Sequence, residues 1–293
     1  MVGMREIRRR IRSVHSIQQI TRAMEMVAVS RLRRAEQRLR SARPYAGKIQ
    51  ELMQSLAPSL PRIDHPLLAH RESQRVAVVL ITSDKGLCGA FNANIIHKAN
   101  RFLEENRDKE VTLFIVGKKG HDFFTRRSFS IEFYLPQMSR DISPQEVKQI
   151  SRSFVQGFES ARYDEVYLFY TEFRTAMTTI PTMVRLLPVQ SPQTEAAQGQ
   201  SEEPTFEPSA EAIMNELLPR YIEAQVYKGL IESSASEHGS RMVSMKNATD
   251  NAEEMIRSLT RTYNKARQAA ITKEIIEVTT ASEALKYAAT AGR

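Results

Sequence analysis

The chain has 293 residues, 41% of them apolar and 26% charged, with a net charge of +8, six histidines and one cysteine. That composition suits a globular protein with a sizeable core, and no apolar run approaches the roughly 18 residues of a membrane span. The first 30 residues lack the apolar block of a secretory signal, and Cys88 alone can form neither an intramolecular disulfide nor a multi-cysteine metal site. A protein that is neither exported nor membrane-spanning is expected, with a bacterial cytoplasm as its compartment.

A helix is predicted from about Met4 to Leu56, with Pro44 inside it and Pro58 and Pro61 ending it. Apolar or small residues recur at Ala28, Leu32, Ala35, Leu39, Ala42, Ala46, Ile49, Met53 and Leu56, in alternating steps of four and three, and Ile7, Ile11 and Val14 lead into them. That is a coiled-coil seam. Residues 1–48 carry thirteen Arg or Lys against three Glu, a net +10, so the rest of the chain is close to neutral. Arg5, Arg8, Arg9, Arg10 and Arg12 sit in the first turns, where the helix dipole disfavours cations. A partner carrying negative charge would explain their placement.

Next come four segments rich in β-branched and aromatic residues, Arg75–Thr82, Val111–Gly117, Ser130–Leu135 and Glu165–Phe173. They read as strands. Helical stretches at Ala90–Arg107, Lys118–Arg127 and Pro144–Arg162 alternate with them, which implies a largely parallel, doubly covered sheet. Thr182–Val189 is a last strand at an edge. Residues 190–205 contain almost nothing that could build a core and are expected to form a mobile loop. From Pro208 to about Leu285 one helical pattern runs on, interrupted only by Pro219, Gly229 and Gly239. Its seam, Met245, Thr249, Ala252, Ile256, Leu259, Tyr263, Ala266 and Ala270, has Thr249 as its only polar member. An intramolecular antiparallel pair of the two terminal helices is the economical reading. The fold class is therefore α/β: a long antiparallel coiled coil of N- and C-terminal helices plus a central doubly wound (Rossmann-like), mostly parallel sheet domain.

Candidate chemistry is sparse. Ser83-Asp84-Lys85-Gly86-Leu87-Cys88-Gly89 follows the first strand and precedes a helix, where a Gly-rich turn can cradle phosphate. It fits neither the dinucleotide nor the P-loop pattern, so a tight packing turn is favoured, with Lys85 as a surface contact. The histidines, His15, His65, His70, His97, His121 and His238, form no i, i+4 pair and have no carboxylate cluster at ligand spacing. No Ser, His and acid arrangement emerges, and no cofactor or metal is expected. The basic helix supplies an electrostatic footprint for nucleic acid. Few interleaved aromatics accompany it, and its seam is committed to a coiled coil.

Several strings bear a resemblance: Arg5-Glu-Ile-Arg, Gln19-Ile-Thr-Arg-Ala-Met-Glu-Met-Val-Ala, Ala42-Arg-Pro-Tyr, Ile81-Thr-Ser-Asp-Lys-Gly-Leu-Cys-Gly and Pro181-Thr-Met. Ala235-Ser-Glu-His, Ala248-Thr-Asp-Asn-Ala and Tyr263-Asn-Lys-Ala-Arg-Gln-Ala-Ala-Ile-Thr-Lys-Glu complete the set. Together they resemble the gamma subunit of the F-type rotary ATP synthase, bacterial type, in that family's order and over nearly the whole chain. The resemblance implies a non-catalytic rotor shaft inside a ring of alpha and beta subunits, joined through its foot to the epsilon subunit and the membrane c ring. Direct membrane insertion and nucleic-acid binding are not expected. The implied location is peripheral, on the cytoplasmic face of a bacterial membrane.

By the same resemblance, Arg22, Met24, Met26, Arg267, Gln268, Ile275 and Leu285 should meet the alpha/beta ring, and Phe206 and Glu207 the c ring and epsilon. Lys85 is a further partner contact. Phe206 stands where a Tyr is expected, which removes a hydroxyl contact, and Gly89-Ala90 replaces a common pair of glycines, which implies slightly less backbone freedom. The cysteine pair of the chloroplast-type insertion is absent, so thiol switching is not expected. The expected organisation is residues 1–57 as the first helix, 75–189 as the α/β domain, 190–207 as loop and foot, and 208–288 as the second helix.

Overall fold

A computed structural model describes residues 4–56, 65–136, 142–189 and 210–291. In chain order the elements are α1 (Met4–Leu56), β1 (Arg75–Ile81), α2 (Phe91–Glu105), β2 (Glu110–Val116), α3 (Lys118–Thr125), β3 (Ile131–Leu135), α4 (Pro144–Glu159), β4 (Glu165–Phe173), β5 (Thr179–Leu187) and α5 (Ala210–Ala291). They group into two compact units, Met1–Met26 with Met245–Arg293, and Val27–Ser244. The expected loop at 190–205, and Pro58 and Pro61 as helix stops, lie outside the described residues.

The second unit holds one five-stranded sheet in the order β3-β2-β1-β4-β5. The β1–β2, β1–β4 and β2–β3 pairs are parallel, and β5 runs antiparallel to β4 at an edge. Alternation along β1 assigns its side chains to two cores. Ala77, Val79 and Ile81 pack with Phe154 and Phe158 of α4, Met214, Leu218 and Ile222 of α5, and Met53 and Leu56 of α1. Val76, Val78 and Leu80 pack with Ile95 and Leu103 of α2 and Phe124 of α3. The α/β class with a mostly parallel, doubly covered sheet is as the strand and helix alternation implied.

Three helices end short of their predicted limits, α2 at Glu105 rather than Arg107, and α3 and α4 for one shared reason. α4 begins with a capping box, in which Ser143 accepts from the Glu146 amide and Glu146 reaches back to the Ser143 amide. It ends at Glu159 rather than Arg162 because Ala161 turns left-handed (φ 55) and the Arg162 amide bonds back to Gly157 O at 2.7 Å. Ser128 (φ 58) follows the end of α3 in the same way, where Arg127 was expected to close it. Neither residue is the glycine that usually marks such a stop.

α5 runs unbroken through Pro219, Gly229 and Gly239. The glycines serve close approach: a Cβ on Gly229 would sit 3.0 Å from the Leu168 side chain, and one on Gly239 3.1 Å from Ala176 O.

The first unit pairs the start of α1 with the later part of α5. Arg8 Nη2 donates to the Tyr263 hydroxyl at 2.5 Å, and Thr249 Oγ1 donates to Thr21 Oγ1 at 2.8 Å. Numbers rise along α1 as they fall along α5, so the pair is antiparallel. Between 250 and 270 the positions withdrawn from solvent are Ala252, Ile256, Leu259, Tyr263, Ala266 and Ala270, the predicted seam. One detail differs. The seam at 28–56 and the seam at 245–270 belong to different units. Ile7 and Thr21 of α1 are buried in the unit that holds Met245 and Ala252, whereas Leu32 and Ala35 pack with Ala235 in the other.

Thr249 is thus one half of a polar layer, a device that fixes register at some cost in stability. Replacing Thr21 or Thr249 singly by Val should destabilise this pair by at most about 1 kcal/mol, because the remaining hydroxyl loses its cross-helix partner and keeps only the bond to its own helix, Thr21 to Gln18 O or Thr249 to Met245 O. The double replacement should recover most of the loss. Thermal unfolding of the three variants checks this; additive losses would contradict it.

Candidate partner surfaces

The turn after β1 leads into the crevice past the carboxyl ends of β1 and β4, where open α/β sheets hold ligands. That crevice is filled by α5. Ser233 Oγ accepts from the Thr171 amide at 3.0 Å, and Ser236 Oγ donates to Thr171 O at 3.1 Å. Arg241 donates to Gly86 O and Lys85 O at 3.3 to 3.4 Å and pairs with Glu237 at 2.7 Å. Burial pushes the Glu237 carboxyl up against the opposing pull of Arg241. Burial, with the charges of Arg241 and Arg31, holds the His238 pKa down at about 4. The favoured reading of Ser83–Gly89 as a packing turn agrees with this geometry. Ala90 has φ −84 and ψ 3, which any residue adopts, so the missing second glycine costs no needed freedom.

Cys88 is buried beside Ser83 and Asn92, and burial raises its thiol pKa. A buried, protonated thiol is a poor nucleophile. Among the described residues no group of three or more His, Cys, Asp or Glu is arranged to hold a metal ion. A groove of about 260 Å³ between α1 and α5, with Tyr45, Tyr227, Lys228 and Glu232 on its walls, contains neither His nor Cys.

In the first unit Arg22 and Met26 are exposed and Met24 is half-buried. Arg22 and Met26 lie to one side of the seam, and Met24, with the exposed Ile17 and Ile20, to the other. Arg267 and Gln268 are exposed on α5. The antiparallel register puts Arg22 opposite about residue 248, so the two groups are separated by roughly 28 Å along the helix axis. They are two separate levels along the helix pair, not one site. Ile275 is 58% exposed, and with Ile271 and Val278 it makes an apolar stripe one residue off the seam. Every described side chain from 271 to 282 is exposed. Leu285 lies in α5, but its side chain is outside the described residues, as are Phe206 and Glu207 entirely. Arg5, Arg9 and Arg12 are exposed and have no ion-pair partner among the described residues. Arg10 pairs with Glu6 at 2.7 Å.

In the second unit Lys85 is exposed on its turn, beside Leu87, which is 61% exposed at φ 60. Ile17, Ile20, Ile271 and Leu87 were missed in the sequence. For Ile17, Ile20 and Ile271 the available signal was apolar spacing of three and four outside seam positions; Leu87 had none.

A family model described as ATP synthase matches residues 3–285. The ATP synthase gamma chain of Heliobacterium modesticaldum is 46% identical, over 97% of this chain and 100% of its own length. That of Brevibacillus brevis is 44% identical, over 96% and 98%. Among solved structures, the central stalk/c-ring structure of the Tetrahymena thermophila mitochondrial ATP synthase contains a similar chain, with TM-score 0.62 and 28% identity over 78% of this chain and 99% of that one. A chain of the Euglena gracilis mitochondrial ATP synthase shares the fold, with TM-score 0.67 and 19% identity over 96% and 94%.

Proposed function

This chain belongs to the ATP synthase gamma chain family, and we propose that it is the central rotor shaft of an F-type ATP synthase, a subunit without an active site. Its partners are the alpha and beta subunits, the epsilon subunit and the c ring. The observation that carries this reading is full-length similarity to gamma chains, joined to an antiparallel helix pair that ends in a single helix with an exposed apolar stripe.

Such a shaft works through asymmetry. At each angle it presents a different face to each of three beta subunits, and a partner with different contact free energies for different conformations shifts their populations. Reciprocity makes the device reversible: rotation changes nucleotide affinity, and nucleotide turnover drives rotation. Ion flow through the c ring turns the shaft toward synthesis, and hydrolysis turns it back. The subunit sits peripherally at the cytoplasmic face of a bacterial membrane, held by its partners. No helix among the described residues is long and apolar enough to cross that membrane.

Arg267 and Gln268 form one contact level with beta, and Arg22, Met24 and Met26 another. The Arg fork pairs with passing carboxylates while the Met and Ile surfaces slide. Ile275 and Leu285 run in an apolar bearing, Lys85 is a further partner contact, and Phe206 and Glu207 reach the c ring and epsilon. Charge reversal at Arg267 (Arg267→Glu) should leave assembly intact and lower ATP hydrolysis by the alpha, beta and gamma complex roughly two- to fivefold, the value of an exposed ion pair. Gel filtration with a coupled ATPase assay reads both, and an unchanged rate would remove this contact from the account.

A further inference from the structure

Covering the end of a sheet requires only apolar side chains, and a buried ion pair is often no more stabilising than its apolar replacement. α5 nevertheless buries Glu237, His238 and Arg241 in the crevice beyond β1 and β4. What the guanidinium supplies there is donors. Nε reaches Gly86 O at 3.4 Å, Nη2 reaches Gly86 O at 3.3 Å and Lys85 O at 3.4 Å, and Nη1 meets His238 Nδ1 at 3.2 Å. Arginine has no acceptor atom, so His238 Nδ1 accepts and the ring is neutral with its proton on Nε2. Glu237 faces the same guanidinium through Oε1 at 2.7 Å. Asp84 from the turn and Arg31 from α1 are the other charges acting on Glu237.

We propose that Arg241, oriented by Glu237, is a positioning residue that latches the Ser83–Gly89 turn to α5, so that Lys85 and Leu87 are held out by the helix as much as by the sheet. The turn is tied on its own side too: Ser83 Oγ donates to Lys85 O at 2.7 Å, and the Ser83 amide donates to Asn92 Oδ1 at 2.9 Å. Leu87 keeps its left-handed backbone while exposing an apolar side chain. That conformation is costly for a residue with a Cβ and persists only where neighbours impose it. The latch imposes it from the α5 side, in the crevice where other sheets of this type hold a ligand. Its consequence in the complex rests on the proposed partner contact at Lys85.

Amide hydrogen exchange on the isolated full chain tests the latch. Arg241→Ala should speed exchange of the amides from 84 to 90 roughly tenfold or more, as loss of hydrogen bonds from a charged group requires, and leave those of Leu113, Phe114 and Ile115 unchanged. Arg241→Lys keeps the charge but not the fork, and should give most of the same local rise. Guanidinium at low millimolar concentration should restore protection in Arg241→Ala and do nothing to the unaltered chain. An unchanged turn in both variants, or a rise shared equally by residues 113–115, would overturn the proposal. If Arg241→Ala does not fold, Arg241→Lys decides between the same two outcomes alone. Because the chain is measured without partners, failure of the latch is separate from failure of the shaft reading, which appears only on assembly with alpha and beta.

Discussion

Removal of residues 275–293 should leave the sheet unit fully folded and cut ATP hydrolysis by the assembled complex about fivefold or more, the lower end of a typical coupling between sites. The reason is geometric. Every described side chain from 271 to 282 is exposed, and neither core of the sheet unit draws on this part of α5. What is lost is Ile275, Ile276 and Val278, large apolar groups left exposed among the described residues. Unfolding of the shortened chain, followed by circular dichroism, should match the full chain in the sheet unit. A full hydrolysis rate would mean that the stripe makes no working contact, and collapse of the sheet unit would mean that its stability does depend on the tip.

Gly117→Ala should destabilise the sheet unit by about 3 kcal/mol or more. Gly117 has φ 94, and a Cβ there would fall 2.0 Å from Thr82 O and 2.6 Å from Thr82 C. Thr82 cannot give way. Its amide donates to Val116 O at 2.8 Å, its hydroxyl donates to Val116 O at 3.1 Å, and the same hydroxyl accepts from the Gly120 amide at 2.9 Å. The alanine must therefore displace the β1 and β2 ends from each other. Gly86→Ala is the control, since nothing lies within 4 Å of its Cβ position and its backbone is not left-handed, so its effect should stay within about 0.5 kcal/mol. Urea unfolding midpoints compare the two. Equal shifts would show that the close approach at Thr82 is not what confines position 117 to glycine.

The elements that the sequence made legible are those in which periodicity is the cause of structure. Ala252, Ile256, Leu259, Tyr263, Ala266 and Ala270 are withdrawn from solvent because a helix repeating every seven residues must turn one stripe toward its partner. The near-continuous apolar run Val76–Ile81 is legible because a central parallel strand is covered on both faces. Which stretch of α1 faces which stretch of α5 was not legible, since a seam that repeats every seven residues leaves the register of the pair open. The filled crevice was also hidden. Ser233, Ser236, Glu237, His238 and Arg241 look like a solvated face in one dimension, and only packing against Thr171 and Gly86 makes them an interior network. Ala161 and Ser128 gave no stop signal because their left-handed backbones are imposed by the chain beyond them. Of the proposed partner surface, the basic start of α1 could be read from charge alone, whereas Arg267 and Gln268 carry no physical mark that separates them from any exposed helical pair.

The central claim, that this chain is the shaft which makes other subunits hydrolyse and synthesise ATP, is tested most directly by mixing it with purified alpha and beta subunits. Gel filtration and Mg-ATP hydrolysis are then measured on the mixture and on the chain alone. A large complex that hydrolyses ATP, beside an isolated chain that does not, is the predicted result. No complex, or hydrolysis by the isolated chain, would contradict the account.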